Sequence, residues 1–107
     1  MLKFIQKIFN KNFKYNNFVI NNNAVIIALE AETKRRLKCF DEALSLINKA
    51  IEIESNNDMY YVTKSLIFYD TNKFDESLKE INKAIKINNK VERYKELQTQ
   101  IKEKLSN

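Results

Sequence analysis

A chain of 107 residues without glycine, proline, tryptophan or histidine has room for one small domain and little of the chemistry of tight turns or catalysis. Hairpins rely on glycine at positive φ, so strand-rich folds are disfavoured; without histidine the commonest general base and a common metal ligand are missing, and without glycine so are phosphate-cradling loops. No enzyme activity, cofactor or metal is expected, and 44% hydrophobic with 31% charged residues indicates a soluble helical domain.

The net charge of +5 is unevenly spread. Residues 1–23 carry Lys3, Lys7, Lys11 and Lys14 and no acid, whereas the remaining fifteen basic and fourteen acidic side chains leave +1 for residues 24–107. Leu2, Phe4, Ile5, Ile8, Phe9 and Phe13 are interleaved with those lysines. Such a basic amphipathic helix suits an anionic membrane surface or a docking site, with Phe4, Ile5, Ile8, Phe9, Phe13, Lys3, Lys7 and Lys11 as its contact residues. It suits still better capping the domain or lying across its groove with the lysines solvated, and Phe13 to Asn23 aligns with Ile47 to Asn57 at a 34-residue offset as a decayed half-repeat. Lys7, Lys11 and Lys14 interrupt any apolar core of a secretory signal.

The spacing of Ala24, Ile27, Ala28 and Ala31 predicts a helix from about Ala24 to Lys38, with Asn21 to Asn23 offering cap oxygens. The basic run Lys34, Arg35, Arg36, Lys38 falls at its C-terminal end, where the helix dipole favours cations. A second helix should run from Asp41 to Glu54, with Asp41 and Glu42 at its positive end. A third, capped by Asp58, should place Tyr61, Ser65 and Phe68 on one face as far as Tyr69. A fourth covers Asp75 to Asn88, and a last one from Val91 to Leu105 carries a stripe of Val91, Tyr94, Leu97, Ile101 and Leu105. The single cysteine, Cys39, has no thiol partner and suits a reduced compartment as a small filler.

Phe40 to Ile53 (FDEALSLINKAIEI) recurs 34 residues on as Phe74 to Ile87 (FDESLKEINKAIKI), with ten of fourteen positions identical. On these residues the chain resembles the tetratricopeptide repeat family: Phe40 and Phe74 match its aromatic position, Ala43 and Ser77, and Ala50 and Ala84, its small positions in the second helix. Ala31 and Ser65 match the small position of the first helix, and Ile27 and Tyr61 its large one. Small side chains let paired helices approach, while Phe40, Ile47 and Ile53, with Phe74, Ile81 and Ile87, should fill the space around them. The sequence departs from the family at Glu30 and Lys64, where leucine is usual, at Lys34, where an aromatic is, and at Lys38 and Asn72, where the turn glycine stands.

The resemblance implies an all-α fold, a short right-handed α-α superhelix of two helix-turn-helix repeats, residues 24–57 and 58–91. Residues 1–23 form a further element before them and residues 92–107 a C-terminal capping helix. It also implies a non-catalytic scaffold or adaptor, cytoplasmic or peripheral to a membrane, binding another protein or peptide on the concave face of its first helices. The face would contain Val25, Ala28, Glu32, Met59, Val62, Thr63, Leu66, Tyr69 and Arg93. Chaperone-binding members clamp a terminal carboxylate with Lys and Asn one turn apart; the matching positions are Ala28, Glu32, Val62 and Leu66, so that clamp is absent and an apolar groove takes its place. Nucleic acid is not expected, because acids are interspersed through the repeats. Anchoring to a membrane by residues 1–20 and self-association are the alternatives, and a homo-oligomer is the partner the second implies.

Overall fold

The computed structural model describes residues 13–107, with side chains from residue 23 onward. Within these residues the chain forms five helices and no strand: α1 (Phe13–Arg36), α2 (Phe40–Ile53), α3 (Asp58–Asp70), α4 (Phe74–Ile87) and α5 (Glu92–Ser106). Lys3, Phe4, Ile5, Lys7, Ile8, Phe9 and Lys11 lie outside the described residues, and Phe13 opens α1. No described helix is long and apolar enough to cross a membrane.

α1 starts eleven residues earlier than the spacing of its alanines predicts, so Asn21 to Asn23 lie within the helix rather than capping it. Asparagine costs a helix only a few tenths of a kcal/mol relative to most residues, and no proline stands there to stop it. α3 is also capped one residue earlier than expected: the Asn57 side chain accepts from the Met59 N–H at 3.0 Å, leaving Asp58 free for a longer-range role.

α1 packs chiefly on α2 and α3 on α4, and α5 closes the stack against α4. Two buried clusters result. One gathers Ala24, Ala31, Ala43, Ile47, Ala50, Tyr60 and Ile67; the other gathers Ile81, Ala84, Tyr94 and Ile101. The small positions of the duplicated motif are fully buried in both copies. Where the first pair brings together Ala31 and Ala43, the second has Ser65 and Ser77. Each serine hydroxyl donates to the other's carbonyl oxygen at 2.8 Å, which satisfies two polar groups at a close helix crossing.

Three expectations about the core are corrected. Ile53 and Ile87 are 40% and 37% exposed, because each stands in the last turn of its helix, beyond the reach of the next pair. On α3 the deeply buried large residues are Tyr60 and Ile67, with Tyr61 and Phe68 only half-buried, since this helix packs on α2 as well as on α4. Leu105 frays into solvent at the end of the stripe that Tyr94 and Ile101 anchor.

The missing turn glycines are replaced at a conformational cost. Lys38 and Asn72 have φ of 63° and 62°, the left-handed region. Both close the same C-terminal motif: Cys39 N–H donates to Lys34 O at 2.9 Å and Lys38 N–H to Arg35 O at 2.9 Å, while Lys73 N–H donates to Phe68 O at 2.8 Å and Asn72 N–H to Tyr69 O at 3.1 Å. Lysine pays a steric penalty there that asparagine largely escapes. Lys38→Gly should therefore stabilise the protein by about 1 kcal/mol, and Asn72→Gly by less, as read by chemical denaturation. Cys39 is half-buried in this turn, as a small filler should be.

Ion pairs tie the repeats together. Arg35 bridges Glu32 on its own helix and Asp70 at the end of α3, each at 2.6 Å, and Lys34 reaches Glu42 on α2 at 2.9 Å. The basic run thus supports both the end of its helix and the neighbouring elements.

Tyrosine hydroxyls stitch the first cluster to the loop and the second to α3. Tyr60 donates to Glu54 at 2.8 Å, and Tyr94, 34 residues on, donates to Asp58 at 2.8 Å. Burial, helped by the adjacent carboxylate, pushes each phenol from 10.0 up to about 12. Between those values the unfolded chain has lost its phenolic protons while the folded chain keeps them, so stability should fall as pH rises through this window. Tyr60→Phe and Tyr94→Phe should each remove up to about 2 kcal/mol of that alkaline decline in denaturation curves taken at pH 9 to 12.

Candidate functional site

The first helix of each pair, with the start of α5, builds one side of the stack. Val25, Ala28, Leu29, Glu32 and Arg36 line a hollow from α1, a stripe set by their helical spacing of three and four residues. Met59, Tyr60, Val62, Thr63 and Leu66 line it from α3, Asn57 from the turn and Arg93 from α5, enclosing about 480 Å³. A second hollow of about 500 Å³ lies between α3 and α5, lined by Asp58, Met59, Val62, Leu66, Asn88, Val91, Arg93, Tyr94 and Leu97. Met59, Val62, Leu66 and Arg93 line both, so the two hollows form one groove with an apolar floor.

Of the nine residues expected on the concave face, Val25, Ala28, Glu32, Met59, Val62, Thr63, Leu66 and Arg93 lie in this groove. Tyr69 does not. It sits three residues beyond Leu66, has turned away from the groove, and packs edge-on against Phe74 with ring centroids 5.4 Å apart. The sequence reading missed Leu29 and Arg36, although each stands four residues after an expected groove residue. It also missed Val91 and Leu97, because α5 reads in sequence as a cap and not as a wall.

The groove's apolar surface is open. Met59 is 57% exposed, Leu29 63% and Val25 37%, with Val62 and Leu66 half-buried beneath. Its carboxylates are already engaged. Arg35 donates to both oxygens of Glu32, at 2.6 and 3.1 Å, and Arg36 adds a contact at 3.3 Å. Burial pushes the Glu32 carboxyl up, and the bonds and charges of the two arginines outweigh it, holding the group below the usual carboxylate range. Asp58 accepts from the Tyr94 hydroxyl and, at 3.4 Å, from the Asn88 amide.

Beyond Arg36 lies a third, polar hollow of about 320 Å³ lined by Arg35, Arg36, Lys38, Phe40 and Asp70. Arg36 also lines the groove, which places the two side by side. Among the described residues no group of histidine, cysteine and carboxylate side chains is arranged to hold a metal.

No protein-family model matches the sequence, and no curated protein matches it. Solved structures do. The chain superposes on the first TPR domain of Spaghetti (RPAP3), bound to the HSP90 peptide SRMEEVD, with a TM-score of 0.76 at 14% identity, covering 79% of this chain and 68% of that one. It superposes on the TPR domain of Arabidopsis OM64 with a TM-score of 0.76 at 17% identity, covering 81% and 72%. At these identities the likeness speaks for the fold, and together with the duplicated 34-residue unit and its buried small positions it shows that the chain has the tetratricopeptide-repeat fold.

Proposed function

We propose that this protein is a non-catalytic interaction module that buries an apolar helix or extended segment of another protein in the groove between α1, α3 and α5. The observation that carries this reading is the continuous apolar floor of Met59, Val62 and Leu66, flanked by exposed Val25 and Leu29. Apolar area removed from water stabilises a complex by about 25 cal/mol per Å², so a groove of this kind favours a ligand that brings apolar side chains of its own. One structural neighbour holds an HSP90 peptide, which supports a peptide ligand in general. The positions of the family's carboxylate clamp are Ala28, Glu32, Val62 and Leu66 here, three apolar and one acidic, which argues against the same mode of capture.

Leu66→Asp and Val62→Asp place a charge on the groove floor; both side chains are half-buried, and Leu66 stands clear of the two buried clusters whereas Val62 also packs against the second. Capture of partners from extract by the intact protein should fall at least about tenfold in each variant, while for Leu66→Asp the helical signal and the thermal midpoint stay close to those of the parent and for Val62→Asp the midpoint falls with the helical signal kept. Equal recovery of the same partners by well-folded variants would refute the groove as the binding site.

A further inference from the structure

We propose that the groove's partner is an apolar segment with acidic edges, whose carboxylates meet Arg93 at the middle of the groove and Arg36 and Lys38 at its α1 end. The inference rests on the groove reading and adds the charge of the ligand to it. Three carboxylates border the groove and the hollow beside it, and each is bonded from within: Glu32 and Asp70 by Arg35, Asp58 by Tyr94 and Asn88. Apart from Arg35, the cations are in the opposite condition. Arg36 has a side chain 76% exposed and a single 3.3 Å contact to Glu32, while Arg93 and Lys38 take part in no ion pair among the described residues.

Their placement makes them act together. Arg93 stands where the two halves of the groove meet, and Arg36 stands on the boundary between the groove and the hollow that Lys38 lines. Lys38 occupies a left-handed backbone position that glycine would fill without steric cost, so its charge can be removed there without straining the turn. Charge also argues against the chain's own N-terminal segment as the occupant. Residues 1–12 carry Lys3, Lys7 and Lys11 and no acid, which would set like charges beside Arg36 and Arg93.

Two labelled peptides of about fourteen residues, about 21 Å when helical, would test this. They share one leucine-rich face and differ only in carrying glutamate or lysine along its edges. In anisotropy titrations of the full chain the acidic peptide should bind at least about tenfold more tightly in about 50 mM salt, and its advantage should shrink in about 300 mM salt. Arg36→Ala and Arg93→Ala combined with Lys38→Gly, which suits the backbone, should reduce the preference to under about threefold. Leu66→Asp should weaken both peptides. Equal binding of the two peptides, tighter binding of the basic one, or an acidic preference untouched by the triple substitution would overturn the inference; if Leu66→Asp still weakened binding, the groove reading would stand without it. Failure of both peptides to bind would overturn the inference and the groove reading together.

Discussion

Ile47→Ala and Ile81→Ala are expected to cost about 2–5 kcal/mol each, while Ile53→Ala and Ile87→Ala, six residues further along the same two copies, should cost under about 1 kcal/mol. All four isoleucines belong to the duplicated segment, and nothing in its pattern of identities separates them. The structure does. Ile47 and Ile81 are fully buried, each beside the alanine or serine that lets its helix pair close, whereas Ile53 and Ile87 are 40% and 37% exposed. Removing three carbons from a filled site loses their transfer free energy and leaves a cavity whose lining loses contacts; at the helix end water fills the space at once. A domain of this size has about 5–15 kcal/mol of stability in all, so the first pair threatens folding and the second does not. Urea denaturation of the four variants reads the contrast directly. Similar losses at all four sites would show that the helices are rotated from the packing described above.

The fold was legible in the sequence because its strongest determinant repeats. Ala43, Ala50, Ser77 and Ala84 are small for a reason that the 34-residue spacing exposes, and all four are fully buried. The turns were legible in part: the positions where glycine is expected were visible as Lys38 and Asn72, and both take the left-handed conformation. What the spacing did not reveal lies in relations between elements. Tyr94 was legible on the apolar stripe of its own helix, but Tyr60, 34 residues earlier, was not, because its burial depends on the preceding helix pair and helical periodicity within α3 pointed to Tyr61 instead. Tyr69 was placed with Val62 and Leu66 on the concave face that the resemblance implies, and the edge-on contact with Phe74 holds it elsewhere. The start of α1 was misplaced because asparagine signals a cap only where the chain actually turns, and nothing local forces it to turn at Asn21 to Asn23.

The two copies also disagree in a way that has a physical explanation and a test. Lys64 stands where the family has leucine, and Glu80 stands where the first copy has Leu46. These two departures compensate each other. Glu80 is almost fully buried, with its side chain 4% exposed, and lies 3.4 Å from Lys64 and 3.0 Å from Lys83. Lys83 donates to Glu80 Oε1 at 3.2 Å, while Oε2 is at ion-pair distance from the same ammonium without hydrogen-bond geometry, and Lys83, 45% exposed, also lies over the Tyr61 ring. Lys64 is therefore the more enclosed of the two cations that neutralise Glu80. Lys64→Leu alone should destabilise by about 3 kcal/mol, because it leaves a buried carboxylate with one solvent-exposed partner. Glu80→Leu should cost less, since the Lys64 ammonium can follow its flexible stem towards water. Lys64→Leu combined with Glu80→Leu should be no less stable than the parent, because a buried ion pair replaced by packed apolar side chains loses its desolvation penalty along with its attraction. The coupling measured in this double-mutant cycle is the decisive quantity: additive losses would mean that the two charges do not act as a pair, and that their joint departure from the repeat pattern has some other cause.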